Sequence, residues 1–420
     1  MKRHQEVKEH QEMKRHQKRF GAGFSLVELM IALALGSMVT AGVVQLFVAN
    51  SETHSLLIGQ SRMQESARFG LDFIGRQVRQ AGYRGCFSGN DDLHTTMAPV
   101  TDPYIPYEFD LRAGVLGYNA TGASLWTPAL TELPNTDADL AMNNLANTVF
   151  KTTYDYGAGA GIDLDQVVSG TDVVTFRHIS QTDARLGGYL DGGGSTVYGT
   201  MPTSTEPIVV GVPAGWAEFD LDHLVMIHDC EKATIFRVTT SNPWGRNADL
   251  SPKAAPAAQD LTVGHDLADA DRTQNSFERL ALLNTFEVDA AISAIETHTF
   301  FIAPGEGVNN VGNNPLSLWR KSGLEAPVEL IEGVEDLQLL YGVDTDEDRV
   351  PNQYVQANFV PSWQNVVTVR VTIVVNSIDN VGSTSVPTHG CAIQDCVTDE
   401  VFDGLIRRSF TQTIQMRNSG

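Results

Sequence analysis

The chain has few cysteines and few basic residues, and each shortage excludes a class of protein. Only 4 of its 420 residues are cysteine, and none of them forms a Cys-x-x-Cys pair or a Cys/His spacing typical of a structural zinc site. Its 29 lysines and arginines are outnumbered by 51 aspartates and glutamates, for a formal net charge of −22. Such an acidic chain is not expected to bind nucleic acid or anionic lipid through charge alone.

The sequence motifs of common catalytic sites are also missing. There is no Gly-x-Ser-x-Gly nucleophile elbow, no His-Glu-x-x-His zinc motif and no phosphate-binding loop. The glycine-rich stretch 157–161 leads into Ile-Asp-Leu-Asp rather than into a helix with a basic residue, so it is interpreted as a loop. His223, His228 and His298 lie in strand-like segments, where a packed or exposed histidine is expected rather than a ligand. We therefore do not expect an enzyme.

One long apolar run stands out in this polar chain. It extends from Phe24 to Ala49, about 26 residues or roughly 39 Å as a helix, and Glu28 is its single charged residue. That length is enough to cross a hydrocarbon core of about 30 Å. The basic residues of segment 1–23 favour a cytoplasmic location for that end and export of everything after residue 50. A carboxylate is costly in lipid, so we expect Glu28 to have a function and a charged partner.

Residues Gly23-Phe-Ser-Leu-Val-Glu28 resemble the class III signal of type IV prepilins. The resemblance implies that a prepilin peptidase cuts after Gly23 and methylates the new N-terminus, Phe24. The alternative is an ordinary secretory signal with a cleavage site at 39–41. The long basic leader and the acid at Glu28 disfavour that alternative. Because Met1-Lys-Arg-His-Gln recurs from Met13, either methionine can be the start of translation.

An amphipathic helix is expected to continue beyond the apolar run. Its apolar residues recur at gaps of three and four and form one stripe: Ala67, Leu71, Ile74, Val78 and Ala81. Gly82 then supplies a stop. The predicted organisation is a leader 1–23, a transmembrane or assembly half of the helix 24–50, an exported amphipathic half 51–82 and a β-rich globular domain 83–420.

Strands are predicted mainly in the second half of the chain. Residues 88–165 are rich in Gly, Pro, Asn and Asp and are predicted to be long loops. Short segments of β-branched and aromatic residues predict strands at 172–177, 223–228, 233–239, 297–302, 317–320 and 328–331. The alternation in 367–375 predicts a half-buried strand, and 410–416 repeats the pattern. Residues 333–341 fit a helix or a strand. The predicted fold is α+β and pilin-like, with a long N-terminal helical spine packed against antiparallel β-sheet and with large loop insertions.

Motifs in the rest of the chain resemble the PilW-type minor pilins. They are Ala81-Gly-Tyr-Arg-Gly-Cys86, Glu332-Gly-Val-Glu-Asp-Leu-Gln338, Tyr341-Gly-Val-Asp344, Trp363 with Val366–Arg370, and Arg407-Arg-Ser-Phe-Thr with Arg417-Asn418. The resemblance implies a single-pass inner-membrane protein with its C-terminal domain in the periplasm. It also implies that the protein joins other minor pilins and the major pilin through its N-terminal helix, primes pilus assembly and remains at the extracellular pilus tip, near a tip adhesin. A minor pseudopilin of a type II secretion system is the alternative.

The four cysteines all lie on the expected exported side. An even number in an oxidising compartment predicts two disulfides. We predict the pairs Cys86–Cys230 and Cys391–Cys396, because Cys86 follows the helix and Cys230 lies in a predicted hairpin, so that their bridge would tie helix to sheet.

An acidic segment partly matches a calcium-binding loop. Asp344, Asp346 and Asp348 take its first, third and fifth positions, but Arg349 and Val355 stand where glycine and glutamate are wanted. A solvated acidic turn without a cofactor is the preferred interpretation, and calcium at these three aspartates is the alternative.

Overall fold

The structure is a computed structural model, and it describes the following residues. They are 25–87, 93–95, 111–122, 125–127, 167–181, 184–190, 196–202, 208–212, 224–238, 240–242, 259–264, 282, 284–288, 290–323, 326–380 and 404–418. The chain divides into two compact units, Met1–Ile58 and Gly59–Gly420.

The first unit contains the beginning of helix α1, which spans Leu26–Gln80 and has 55 residues. The predicted long N-terminal helix is thereby confirmed. Up to residue 58, its large apolar side chains are exposed except for the half-buried Leu56, and none of the residues 25–58 is buried. By length and composition this helix contains a segment that could cross a membrane.

The second unit contains the end of α1 and the strands. The strands are β1 (Leu93–Thr95), β2 (Val115–Gly122), β3 (Leu125–Thr127), β4 (Val173–Ile179), β5 (Arg185–Leu190), β6 (Thr196–Tyr198), β7 (Ile208–Val212), β8 (Leu224–His228), β9 (Ala233–Arg237), β10 (Thr240–Asn242), β11 (Gln259–Gly264), β12 (Ala291–Pro304), β13 (Leu316–Ser322), β14 (Val328–Glu332), β15 (Val334–Val343), β16 (Gln353–Val355), β17 (Val366–Asn376) and β18 (Arg407–Gln415). Two single-turn 3₁₀ helices, Ala357–Phe359 and Trp363–Asn365, lie between β16 and β17.

Within the described residues, the larger of two sheets has 14 strands and is centred on the long strand β12. Its main path runs β1-β9-β8-β12-β5-β7-β11-β10. Strands β4 and β13 pair with the second half of β12, and β2 and β14 extend these pairs. Strand β1 pairs with β9 in parallel, whereas the other strand pairs are antiparallel, so the observed sheets fit the predicted α+β, pilin-like fold with one parallel edge. The hairpin predicted around residue 230 is formed by β8 and β9.

The smaller sheet is antiparallel and has the order β16-β15-β17-β18. The predicted half-buried strand 367–375 is its central strand β17, which pairs with β15 on one side and β18 on the other. The ambiguous segment 333–341 is strand from Val334 onward, because pairing with β17 satisfies its backbone groups and buries Leu337 and Leu339.

The expectation that 88–165 consists of loops is wrong in part, because this segment contributes β1, β2 and β3. Strand β2 pairs with the buried strand β4, which has seven buried residues in succession. The predicted loop 157–161 lies outside the described residues.

The main core lies between α1 and both sheets. Its helix side consists of Met63, Ala67, Ile74, Val78 and Ala81, with Leu71 half-buried beside them. The apolar stripe predicted for α1 therefore faces the core, as its spacing of three and four residues requires.

Candidate assembly helix and its attachment

The first half of α1 has an exposed apolar surface. Side chains such as Leu26, Met38 and Phe47 are 74–75% exposed. At Gly36 and Gly42 an added Cβ would meet no atom within 4 Å, so the helix has flat places where another helix could approach closely. A contiguous apolar surface of this kind is typical of a membrane-inserted or protein-contacting segment.

Glu28 is the acidic residue of the first turn of α1, and it is exposed. The turn begins with the Leu29 N–H, which donates to the Ser25 carbonyl oxygen at 3.1 Å. A negative charge here is favourable because the free N–H groups of a helix start carry a partial positive charge. This local effect is one explanation for an acid at residue 28. The predicted processing residues Gly23 and Phe24 lie outside the described residues.

The second half of α1 packs closely on the sheets through two glycines. An added Cβ at Gly70 would lie 3.4 Å from Ile373 Cδ1 of β17, and one at Gly75 would lie 3.4 Å from Ile414 Cδ1 of β18. These distances are at the short end of ordinary van der Waals contact. Side chains of the smaller sheet therefore contact the helix directly at these two glycines.

Helix α1 ends where strand β4 and the segment after β18 meet. Gly82 has a φ of +77°, a conformation that favours glycine, and its N–H donates to the Arg177 carbonyl oxygen at 2.8 Å. A Cβ at Gly82 would lie only 2.6 Å from the backbone oxygen of Asn418. The Asn418 side-chain amide is 3.5 Å from the Gln80 carbonyl oxygen. Two of the motifs behind the PilW resemblance, 81–86 and 417–418, thus meet in one joint.

A disulfide bond lies a few residues after the end of α1. Cys86 and Cys230 are bonded, with Cα atoms 4.8 Å apart, as the sequence analysis predicted for this pair. Gly85 lies against His228, where an added Cβ would approach Cε1 to 2.7 Å. Burial, followed by the charge of Arg185, lowers the pKa of His228 to about 4, so this histidine is neutral at physiological pH. His223, Cys391 and Cys396 lie outside the described residues.

The motif residues of β15 join the two sheets. The Tyr341 ring is buried and meets Trp363 edge to face, with centroids 4.8 Å apart. Its hydroxyl occupies the space beside Gly117 of β2, where a Cβ would lie 1.8 Å away. Glu335 accepts a hydrogen bond from Arg407 Nε at 2.6 Å, which ties β15 to the start of β18.

Asp172 is a buried acid that the sequence did not single out as functional. Its carboxylate accepts hydrogen bonds from the Ala120 N–H at 3.0 Å and the Leu339 N–H at 2.8 Å, so it bridges strands β2 and β15. Burial raises the pKa of Asp172 to about 7, against the opposing effect of these two hydrogen bonds.

The acidic segment forms a tight turn organised by Asp344. Its carboxylate accepts hydrogen bonds from the backbone N–H groups of Asp346, Glu347 and Arg349 at 2.7–3.0 Å. Burial acts to raise the pKa of Asp344, but these bonds outweigh it and the pKa is lowered. The backbone is left-handed at Glu347 and at Arg349. Arg349 occupies the position at which a calcium-binding loop has glycine. The three predicted calcium ligands do come together, with carboxylate oxygens within 4.8 Å of one another.

Two comparisons with known families agree with this geometry. Residues 19–44 match the family described as prokaryotic N-terminal methylation motif, and residues 300–418 match type IV pilus-assembly protein W. Searches of curated proteins and of solved structures found no match to the chain. A long N-terminal helix with an apolar first half, combined with β-sheets on which its second half packs, is a pilin-like arrangement.

The two matches, at the N-terminal signal and over residues 300–418, support a PilW-type minor pilin related to type IV pili. Pilin domains of type IV pili imply prepilin processing and interaction with other pilus components. The apolar helix and the signal also fit anchoring in the inner membrane. Pilin domains of this kind are structural rather than catalytic.

Proposed function

We propose that this minor pilin enters a membrane-anchored complex of minor pilins, primes assembly of the type IV pilus and remains at the pilus tip. The exposed apolar surface of α1, with Glu28 as its one acid between residues 25 and 51, carries the proposal. The domain after the helix lies in the periplasm before assembly and outside the cell afterwards. Its neighbours are other minor pilins, the major pilin and a tip adhesin. The function needs no cofactor.

Glu28 gives the helix contact its register. Cleavage after Gly23 leaves a charged α-amine on Phe24, about one helical turn from the Glu28 carboxylate. In lipid or in a bundle of helices, each of these charges needs a partner. A neighbouring pilin displaced along the bundle can offer its own α-amine to this carboxylate. An unpaired buried charge costs roughly 3–5 kcal/mol, which corresponds to a weakening of assembly of about 100-fold or more.

The test compares Glu28→Ala with Glu52→Ala. Both variants remove one exposed acid from α1, but residue 52 lies beyond the apolar run. The full chain is expressed in the bacterium that makes it, with its neighbouring minor pilins, and is purified from membranes. We expect Glu28→Ala to be inserted and processed, yet to lose co-purification with minor pilins and to reduce piliation. Glu52→Ala should behave like the wild type. Normal co-purification and piliation of processed Glu28→Ala would refute an assembly role.

A second measurement tests the signal itself. Mass spectrometry of the mature protein should find an N-methylated Phe24, and Gly23→Val should leave the leader attached. A mature N-terminus near residue 42 would instead indicate an ordinary secretory signal. Co-purification with pseudopilins rather than with pilus proteins would indicate that the protein assembles through the same helix in a type II secretion system.

A further inference from the structure

Three side chains with metal-binding atoms meet on one face of the larger sheet. In the antiparallel pair β4–β12, His178 lies directly opposite Glu296. His298 is two residues further along β12, and residues two apart in a strand share a face. Phe176 and Phe300 continue this face into the core that contains α1. The three polar residues therefore occupy the end of the surface on which the helix packs.

Their ligand atoms are close enough to share one ion. His298 Nε2 lies 3.2 Å and His178 Nε2 lies 3.9 Å from the same oxygen, Glu296 Oε2. One ligand atom from each residue fits within a set whose members are all within 4.8 Å of one another. Tetrahedral zinc with bonds of about 2.0–2.2 Å to nitrogen and oxygen needs donors roughly 3.3 Å apart, so small side-chain adjustments suffice.

A further contact orients one of the imidazoles. Ser322 of β13 lies opposite His298, and its Oγ is 3.1 Å from His298 Nδ1. When Nδ1–H donates to this hydroxyl, Nε2 carries the lone pair and points it toward Glu296. Such an outer hydrogen bond is the usual support of a metal-binding histidine. It is made by a residue outside the cluster, so it is an observation independent of the three ligands.

A residue of helix α1 lies beside this cluster. Gln77 of α1 has its Oε1 3.2 Å from His178 Nε2. Its amide oxygen can serve as a ligand or hold a bound water. The imidazoles are buried, whereas the Glu296 side chain is 42% exposed and leaves an entry path from solvent. The charge of Arg320 also acts on Glu296, which disfavours a hard ion held by charge alone and favours a metal that prefers imidazole nitrogen.

We propose that His178, Glu296 and His298 bind one divalent transition-metal ion of the zinc class. Two imidazoles and one carboxylate are the ligand types that zinc takes in proteins. With Gln77 beside it, the ion would link the last turns of α1 to strands β4 and β12. Its role is structural: it would hold the packed half of the helix on the larger sheet. None of the three ligands lies in the segments 19–44 and 300–418 that match known families.

The experiment uses the processed full chain in detergent micelles, purified without a histidine tag. Processing also removes the leader histidines. Zinc titration should show one ion bound per chain and a rise in Tm, because a ligand that binds only the folded state stabilises it. Cobalt(II) should give the visible spectrum of a four-coordinate ion. The absence of zinc binding by the wild-type chain would overturn the proposal.

Substitutions of the proposed ligands and of the acidic turn test where the ion binds. Glu296→Gln and His298→Gln should weaken zinc affinity by about 100-fold, and Ser322→Ala by about 10-fold, since supporting hydrogen bonds typically contribute 10–100-fold. The paired change Asp346→Asn/Asp348→Asn tests the acidic turn as the zinc site, and it should leave zinc affinity unchanged. Glu296→Gln keeps the shape of a half-exposed side chain, so its metal-free Tm should match the wild type. Wild-type affinity in both ligand variants, or loss of zinc only in the acidic-turn variant, would contradict the assignment.

Discussion

Substitution of Gly82 by alanine tests whether the joint at the end of α1 holds the second unit together. At a φ of +77°, an alanine pays roughly 1–2 kcal/mol for the left-handed conformation. Its Cβ would also lie 2.6 Å from the backbone oxygen of Asn418, and a backbone atom cannot rotate away. Relieving such an overlap typically costs a further 1–3 kcal/mol or so. We therefore expect Gly82→Ala to lose about 2–5 kcal/mol of unfolding free energy.

Gly312→Ala is the matched control. Gly312 has a similar φ of +88°, but an added Cβ would meet nothing within 4 Å. This variant should lose only the unfolding free energy that the left-handed conformation costs an alanine, about 1–2 kcal/mol. The difference between the two variants therefore isolates the contact with Asn418.

Urea unfolding of the processed chain in detergent, followed by tryptophan fluorescence, measures both variants. Trp319 and Trp363 lie half-buried in the second unit and report on its unfolding. The slope of free energy against urea concentration must stay constant for the comparison to be valid. Equal losses in Gly82→Ala and Gly312→Ala would refute the view that close packing on Asn418 is important.

Three further outcomes follow from other contacts. Removing the disulfide by Cys86→Ala/Cys230→Ala should cost about 5 kcal/mol in the chain-entropy treatment, because the bridge closes a separation of 144 residues; unchanged urea midpoints would contradict this. Asp172 keeps its proton up to about pH 7 in the folded chain, whereas it loses the proton near pH 3.8 in the unfolded chain. The free energy of unfolding should therefore fall by up to about 4 kcal/mol as the pH rises between these values. Asp172→Asn should flatten this pH dependence in urea unfolding. Asp344→Asn should lower the Tm more than Asp348→Asn, since only Asp344 accepts three backbone N–H groups of the turn; a larger loss in Asp348→Asn would show that this turn is organised differently.

The parts of the fold that could be predicted are those with a strong local pattern. The alternation in 367–375 predicted β17, and the spacing of apolar residues in 67–81 predicted the buried face of α1. The segment 333–341 has no clear period because β15 has partners at both edges and buries residues on both faces. Its state follows from pairing with distant strands, which a local pattern does not contain.

The wrong prediction of loops in 88–165 also arose because strand pairing is not visible in a local pattern. Strand β2 lies in a stretch rich in glycine and asparagine, and it is a strand because β4 pairs with it. Gly117 weakens its local preference, yet the Tyr341 ring fills the place of its missing side chain. Pairing thus outweighs composition here.

The histidine cluster could be anticipated only in part. His298 lies in the predicted strand 297–302 and Glu296 directly precedes it, so an extension of that strand by one residue would place the two side chains on one face. His178 comes from a strand more than a hundred residues earlier, and its position opposite Glu296 depends on the register of β4 and β12. The expectation that His298 is packed or exposed rather than a ligand considered each histidine alone.

The contact between Gly82 and Asn418 also determines when the end of α1 can complete its packing during synthesis of the chain. The apolar half of α1 is complete after about fifty residues, whereas β18 and Asn418 are synthesised more than 300 residues later. The last turn of the helix cannot acquire all its contacts before then, and folding that depends on such distant contacts is slow. The segment that we propose to contact the membrane and other pilins is therefore present well before the second unit can complete its fold. A chain truncated before β18 would still carry that segment, but without the strand that packs against Gly75.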